Sequence, residues 1–294
     1  MADLLSPGPR TRLRDLIRPG APLLAPGAYD ALSARLVEQA GFDAVYMTGF
    51  GTTAGLTGRP DVGLLTGTEM VDNARRIVAA VDLPVIADGD TGYGNAINVV
   101  RTVQTYEQAG VAAIQLEDQV TPKKCGHMAD KAIVPLPEML GKIRAATDAR
   151  RDPDFLIIAR TDAVAVEGVD AAVARARAFA EAGADLLFVE APVSEADVER
   201  IAGELAGVAP LVFNWAEGGR TPPLTLERMG ELGFALVLYP IGTLLAATAA
   251  MRAVLETLRK DGTPQAALPG LPSFDEFTDL VGLPEIRTLE QRYR

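Results

Sequence analysis

Eight short apolar runs alternate with longer amphipathic stretches along these 294 residues, and that alternation limits the fold more than any other feature. The runs cover 22–25, 44–47, 84–87, 112–116, 155–159, 186–189, 211–213 and 235–238, and helical periodicity recurs between them, as at 28–40, 68–81, 96–109, 170–182 and 194–205. Strands that are apolar on both faces and separated by helices of this length form βα units around a parallel sheet. Eight such units predict a closed α/β barrel of the TIM type, which uses about 250 residues. We therefore expect a barrel over 1–260 and, in the same domain, a linker and helical extension over 261–294.

Four phrases support closure: QAGFDAVYM (39–47), QAGVAAIQL (108–116), EAGADLLFV (181–189) and ELGFALVLY (231–239). Each ends a helix at a glycine, which accepts the left-handed position after a helix, and then starts a strand. They precede every second strand. The stretch 261–272 is rich in proline and glycine and reads as the linker; beyond it, Phe274, Phe277, Leu280 and Val281 are spaced as one helix with a surface to cover.

Composition removes several classes of function. A formal charge of −11 argues against nucleic acid, whose phosphates need a basic face. One cysteine leaves no intrachain disulfide or cysteine-based zinc cluster, and one histidine leaves no histidine-rich metal site. A bound metal would then have oxygen ligands, which suit Mg²⁺ or Mn²⁺. No signal-peptide core and no run of membrane-spanning length is present, so a cytoplasmic location without membrane association is expected.

Chemistry-bearing residues fall where a barrel builds its site, just past the strands. Thr48 and Gly49 follow the second run, Asp88 and Asp90 the third, Glu117 and Asp118 the fourth, Arg160 and Asp162 the fifth, Glu190 the sixth and Asn214 the seventh. Asp88 and Asp90, in DGDTGYG, can turn toward one cation directly or through water, with Glu117 and Asp118 adding oxygens from the next strand. Cys125 stands in KKCGH, a polar loop in which neighbouring cations favour a thiolate and proton exchange near neutral pH. Lys124, His127, Tyr46 and Glu117 join Cys125 in the expected catalytic set, with His127 orienting the loop or the cysteine. Arg160 has the planar fork that grips a carboxylate.

As a set, YMTG (46–49), GRPD (58–61), DGDTGYG, EDQ, KKCGH, ART (159–161), VEAP (189–192), NWAEGGRTP (214–222) and the SFDEF…GLPE tail resemble the isocitrate lyase/phosphoenolpyruvate mutase superfamily. The resemblance implies an eight-stranded barrel whose last helix extends to a neighbouring subunit, a tetramer, Mg²⁺, and a small α-oxo or hydroxy carboxylate as substrate. It implies that Asp88 and Asp90 bind the metal, and that the turn Tyr46, Thr48, Gly49 with Arg160 holds the α-oxo-carboxylate end. Asp61, Glu117, Glu190 and Asn214 would shape the surrounding shell, with Gly126 against the substrate. Cys125 matches the catalytic acid of the lyase branch.

One departure narrows the substrate. The lyases for isocitrate and methylisocitrate carry an arginine after the eighth strand that helps hold an additional carboxylate, and Leu245 aligns with it here. A leucine cannot pair with that charge. The pattern therefore resembles the 2-alkylmalate lyases, whose substrates are dicarboxylates. The expected reaction is cleavage of a carbon–carbon bond to give an α-keto acid such as pyruvate, with Tyr46 or a water-linked carboxylate as base. Alternatives are a carboxyphosphonoenolpyruvate mutase-like isomerase, a methylisocitrate lyase, an oxaloacetate decarboxylase, and a silent small-molecule-binding barrel.

Overall fold

The structure, a computed structural model, describes residues 9–294. Eight parallel strands close into a barrel in sequence order: β1 (Leu23–Ala28), β2 (Val45–Met47), β3 (Val85–Asp88), β4 (Ala113–Glu117), β5 (Leu156–Thr161), β6 (Leu186–Val189), β7 (Leu211–Asn214) and β8 (Phe234–Tyr239), which pairs back to β1. Each lies within a few residues of the run that predicted it. The glycines of the four repeated phrases, Gly41, Gly110, Gly183 and Gly233, have φ of 83°, 93°, 106° and 85°, the left-handed conformation that lets the chain leave a helix and enter a strand.

Two cores result from strand alternation. Outward residues such as Ile114, Leu116, Ile157 and Phe213 pack in the layer shared with the helices. Inward residues fill the barrel: Leu23 and Ala25 of β1, Tyr46, Ile86, Ala113, Leu156 and Ile158, Phe188, Val212, and Leu236 and Leu238 of β8. The same interior cluster includes Leu13, which comes from a helix the apolar pattern did not predict, Pro9–Leu16. With Leu16 and Ile17, Leu13 packs against the barrel's inner residues.

Inward positions change character along the strands. Ile86 is followed two residues later by Asp88, Ala113 by Gln115 and Glu117, Ile158 by Arg160, Phe188 by Glu190, and Val212 by Asn214. The interior is thus apolar below and ionisable at the C-terminal mouth, and period-two alternation is what gathers the polar groups there.

The described residues divide into two compact units, one ending at Gly242 and the other Thr243–Arg294. The second unit holds most of the helix Gly242–Asp261, a 3₁₀ turn at Leu268–Gly270, and helices Phe274–Leu280 and Leu283–Arg292. The single terminal helix expected from the sequence is therefore two. Gly282, at φ 88°, turns the chain between them, and Pro284 starts the second. Among the described residues no helix is long and apolar enough to cross a membrane.

Candidate active site

A cavity of about 260 Å³ opens at the C-terminal mouth of the barrel unit. Tyr46, Thr48, Asp61, Asp88, Cys125, Gly126, His127, Arg160, Glu190 and Asn214, all expected at the site, line it. These residues come from six strand ends and the loops beyond them.

Arg160 is the best-anchored side chain. Its Nε donates to Asp162 Oδ2 at 2.9 Å and its Nη2 to Asp162 Oδ1 at 3.1 Å, while Nη1 lies 3.3 Å from Glu117 Oε2. Its guanidinium also sits 5.2 Å from the centre of the Phe188 ring. The bidentate grip fixes the plane of the fork and keeps Arg160 protonated, because Asp162, Glu117 and Glu190 outweigh the cost of burial. Asn214 Nδ2 donates to both oxygens of Glu190, at 3.3 and 3.2 Å.

Glu117 and Asp118 separate. Glu117 points inward, and burial pushes its carboxyl well above the usual carboxylate range against the pull of Arg160. Asp118, one residue on, points outward, accepting from Thr161 Oγ1 at 2.7 Å, the Asp162 N–H at 2.9 Å and Arg175 Nη1 at 3.2 Å. The expectation that Asp118 lends oxygens to the site is corrected by this alternation: it joins β4 to β5 and to the helix Val169–Glu181.

The two lysines of the loop also separate. Lys124 donates to Asp130 O at 2.8 Å and its backbone is bracketed by the Gln119 amide, so its side chain does not line the cavity. Lys123 does, with Nζ 2.7 Å from Asp61 Oδ2 and 2.8 Å from Asp90 Oδ1. Burial alone would drain its proton; Asp90 and Asp61 hold the ammonium well above the ordinary lysine range. The inward lysine is therefore Lys123 where the sequence reading placed Lys124, and no periodic pattern distinguishes adjacent residues of an irregular loop.

Cys125 differs from expectation in its protonation. Burial raises the thiol to about 11, aided by Asp61 and Glu190, although the His127 N–H and Arg160 pull the other way. The loop's lysines are committed to carboxylates and a carbonyl, so Cys125 is a thiol at neutral pH and not a thiolate. A held proton is what a general acid needs. His127 is kept neutral by burial. Its Nδ1 accepts from the Arg220 N–H at 3.0 Å, and its Nε2 lies 3.3 Å from Glu190 Oε1 without an aligned hydrogen bond. It ties the Cys125 loop to the backbone at Arg220.

Three glycines are dictated by proximity. A Cβ on Gly126 would meet Glu190 and Arg160, one on Gly49 would meet the Asp88 carboxylate, and one on Gly219 would meet His127. Gly49 also starts the helix Gly49–Thr57, capped by Thr48. Its first turn leaves the Gly49 and Phe50 N–H groups without an intrahelical acceptor, an arrangement suited to a carboxylate.

The residues fit a divalent cation of few protein ligands. Carboxylates (Asp61, Asp88, Asp90, Glu117, Asp162, Glu190) outnumber the buried cations Lys123, Lys131 and Arg160, and buried Glu117 Oε1 lacks a hydrogen-bond partner. Burial and the charge of Asp90 raise Asp88 to about 6, a repulsion that a cation relieves. No group of three or more His, Cys, Asp or Glu able to hold a metal occurs among the described residues. Direct ligation would rest on Asp88, which lines the cavity; Asp90 is paired with Lys123, and its Oδ2 accepts from Tyr93 OH at 3.2 Å. Mg²⁺, which keeps several waters, tolerates so sparse a set.

Residues 13–259 match the family model described as phosphoenolpyruvate phosphomutase. The chain is 49% identical over 282 residues to the 2,3-dimethylmalate lyase of Eubacterium barkeri, covering 96% of this chain and 97% of that protein. It is 44% identical to the chloroplastic carboxyvinyl-carboxyphosphonate phosphorylmutase of Arabidopsis thaliana, covering 99% of this chain and 87% of that one. The crystal structure of a 2,3-dimethylmalate lyase superposes with a TM-score of 0.91 at 40% identity, covering 98% and 96% of the two chains.

Proposed function

Because the chain belongs to the phosphoenolpyruvate mutase/isocitrate lyase superfamily of carbon–carbon lyases and mutases, we propose that it cleaves a 2-hydroxy dicarboxylate of the 2-alkylmalate type into an α-keto acid and a short carboxylate. One observation carries the reading: a protonated thiol, Cys125, and a clamped guanidinium, Arg160, line the same cavity as Asp88. That combination offers a proton donor, a carboxylate grip and a cation site in one place.

Arg160 and the N–H groups at the start of the helix Gly49–Thr57 bind the carboxylate next to the hydroxyl-bearing carbon. Asp88, with Asp90 beside it, would hold a divalent cation, Mg²⁺ or Mn²⁺, which when bound would supply Lewis-acid stabilisation of the charge that develops on the substrate hydroxyl oxygen. Burial keeps the Tyr46 phenol protonated, and it donates to Gln115 Oε1 at 3.2 Å. Tyr46 thus serves as a donor, and a carboxylate reached through water takes the hydroxyl proton. The bond between the hydroxyl-bearing carbon and its neighbour breaks, and its electron pair moves onto the carbon beside the second carboxylate. Cys125 gives that carbon its proton, releasing the short acid beside the keto acid.

The dicarboxylate is favoured over a tricarboxylate by the cavity's composition. Within the barrel unit Arg160 is its one lining arginine, Lys123 is committed to Asp61 and Asp90, and Phe50, Met128 and Ile241 offer an apolar wall to an alkyl branch. Leu245 in place of an arginine agrees. The same reading includes a cytoplasmic location and a homo-oligomer; the tail supports the oligomer, since Leu255, Phe274 and Ile286 of the second unit are exposed apolar side chains that a neighbouring subunit would cover.

The test is release of α-keto acid from 2,3-dimethylmalate and other 2-alkylmalates, with methylisocitrate, oxaloacetate and carboxyphosphonoenolpyruvate alongside. Pyruvate from dimethylmalate, abolished by chelation and restored by Mg²⁺ or Mn²⁺, is the expected result. Turnover of methylisocitrate instead would overturn the dicarboxylate assignment; turnover of the phosphonate alone would replace the lyase with a mutase.

A further inference from the structure

The loop that carries Cys125 has a closed neck. It leaves the barrel at Asp118 and returns at Val134, whose N–H donates to Asp118 O at 2.8 Å, while the Val120 N–H donates to Ala132 O at 2.8 Å. Between these points the arch needs ties of its own to hold a thiol over the cavity. One is the Cys125 N–H, which donates to Asp61 O at 3.1 Å. Another is Lys131, whose side chain is 1% exposed.

Lys131 Nζ donates to two acceptors: Asp162 Oδ1, at 2.6 Å, and the carbonyl of Gly126, the residue after Cys125. Asp162, whose side chain is fully buried, is the carboxylate that grips Arg160 through both oxygens. One anion therefore anchors the substrate clamp and, through a single ammonium, the peptide beside the thiol. The glycine at 126 lets that peptide come close, since any side chain there would strike Glu190 and Arg160.

We propose that Lys131 is a positioning residue: it latches the Cys125 loop onto the carboxylate that orients Arg160, so that proton donor and substrate clamp are set from one point. The proposal rests on the acid and clamp roles given above. A merely stabilising ion pair would leave Cys125 indifferent to its loss. Without the Lys131 ammonium, Asp162 keeps Arg160 on both oxygens and Arg160 keeps Glu117, so the clamp stays paired. The Gly126 carbonyl loses this donor, and the thiol loses its fixed height over the cavity.

Cys125 is the chain's only cysteine, so iodoacetamide uptake measured by intact mass reports on it alone. Lys131→Met and Lys131→Gln are compared with the wild type at pH 8 in the presence of Mg²⁺, with folding checked by circular dichroism. We expect alkylation to accelerate at least about tenfold as the loop unlatches and the thiol meets water. For dimethylmalate cleavage, kcat should fall roughly 10- to 100-fold, with KM nearly constant because the clamp is intact. Unchanged alkylation in a folded variant, or a rise in KM at constant kcat, overturns the proposal. So does loss of fold in both variants, which would make Lys131 a stability residue. A wild type inert toward dimethylmalate would sink the reaction reading while leaving the alkylation result to decide the latch.

Discussion

The cavity at the strand ends measures about 260 Å³, and a second, of about 290 Å³, lies between the helices Gly67–Ala80 and Ala96–Ala109. Both contain arginine and carboxylate. In the first, Asp88, Lys123, Arg160 and Glu190 are all buried. In the second, Arg75 and Arg101 are exposed, and Arg75 pairs with Asp72 at 2.7 Å in the open. Charges removed from water interact strongly and perturb one another, whereas exposed pairs are screened and contribute little. Volume does not distinguish the two cavities; the state of their charges does. They share a boundary: Tyr93 and Tyr106 line the second, yet Tyr93 OH donates to Asp90 and Tyr106 OH donates to Asp88 O at 3.0 Å.

That contrast can be broken by substitution. Arg160→Ala should have the largest effect, since it removes the clamp, strands Glu117 and leaves Asp162 with Lys131 alone. We expect kcat/KM to fall roughly 10²- to 10³-fold and urea-derived stability to drop by about 3–5 kcal/mol. Asp118→Ala should cost stability without comparable loss of turnover: about 3 kcal/mol from breaking the buried pair with Arg175, which keeps only the half-exposed Glu167 as a carboxylate partner, with kcat/KM reduced far less than in the Arg160 variant. A larger kinetic loss would mean that the outward-facing carboxylate reaches the chemistry after all.

A smaller effect should appear with pH. The folded chain holds the Cys125 proton up to about 11, whereas an unfolded thiol releases it near ~8.5. The stability gained from that raised value is complete below about pH 8.5 and fades as pH rises toward 11. Urea midpoints of Cys125→Ser should therefore decline less over this window than those of the wild type; parallel curves would contradict the buried, protonated thiol. The smallest effect is expected at the second cavity, where Arg101→Ala should leave kcat/KM within about twofold. A large loss there would make the groove part of the active site.

Much of this arrangement was legible before any coordinates. The apolar runs fell on all eight strands, because strands buried on both faces must be apolar throughout. The convergence of Asp88, Arg160, Glu190 and Asn214 followed from their places just past those strands. Alternation also held an unused signal: Glu117 is even-spaced from inward Ala113 and Asp118 is not, which separates a site carboxylate from a structural one. The loop gave no such handle. Whether Lys123 or Lys124 turns inward, and whether Lys131 reaches Asp162, depends on an irregular backbone with no period to read. The thiol's protonation departs from the sequence expectation for a related reason: adjacent lysines in sequence imply a cationic setting, whereas in space Lys123, Lys124 and Lys131 are each engaged elsewhere.

The most direct test of the account is pyruvate release from 2,3-dimethylmalate by Cys125→Ser, measured beside Mg²⁺ binding by calorimetry. The account predicts that turnover falls about 10²- to 10⁴-fold while Mg²⁺ affinity is unchanged, because the cation site rests on Asp88 and the proton on Cys125. Wild-type turnover in the serine variant would contradict it, and would move the proton donor to another group on the cavity wall.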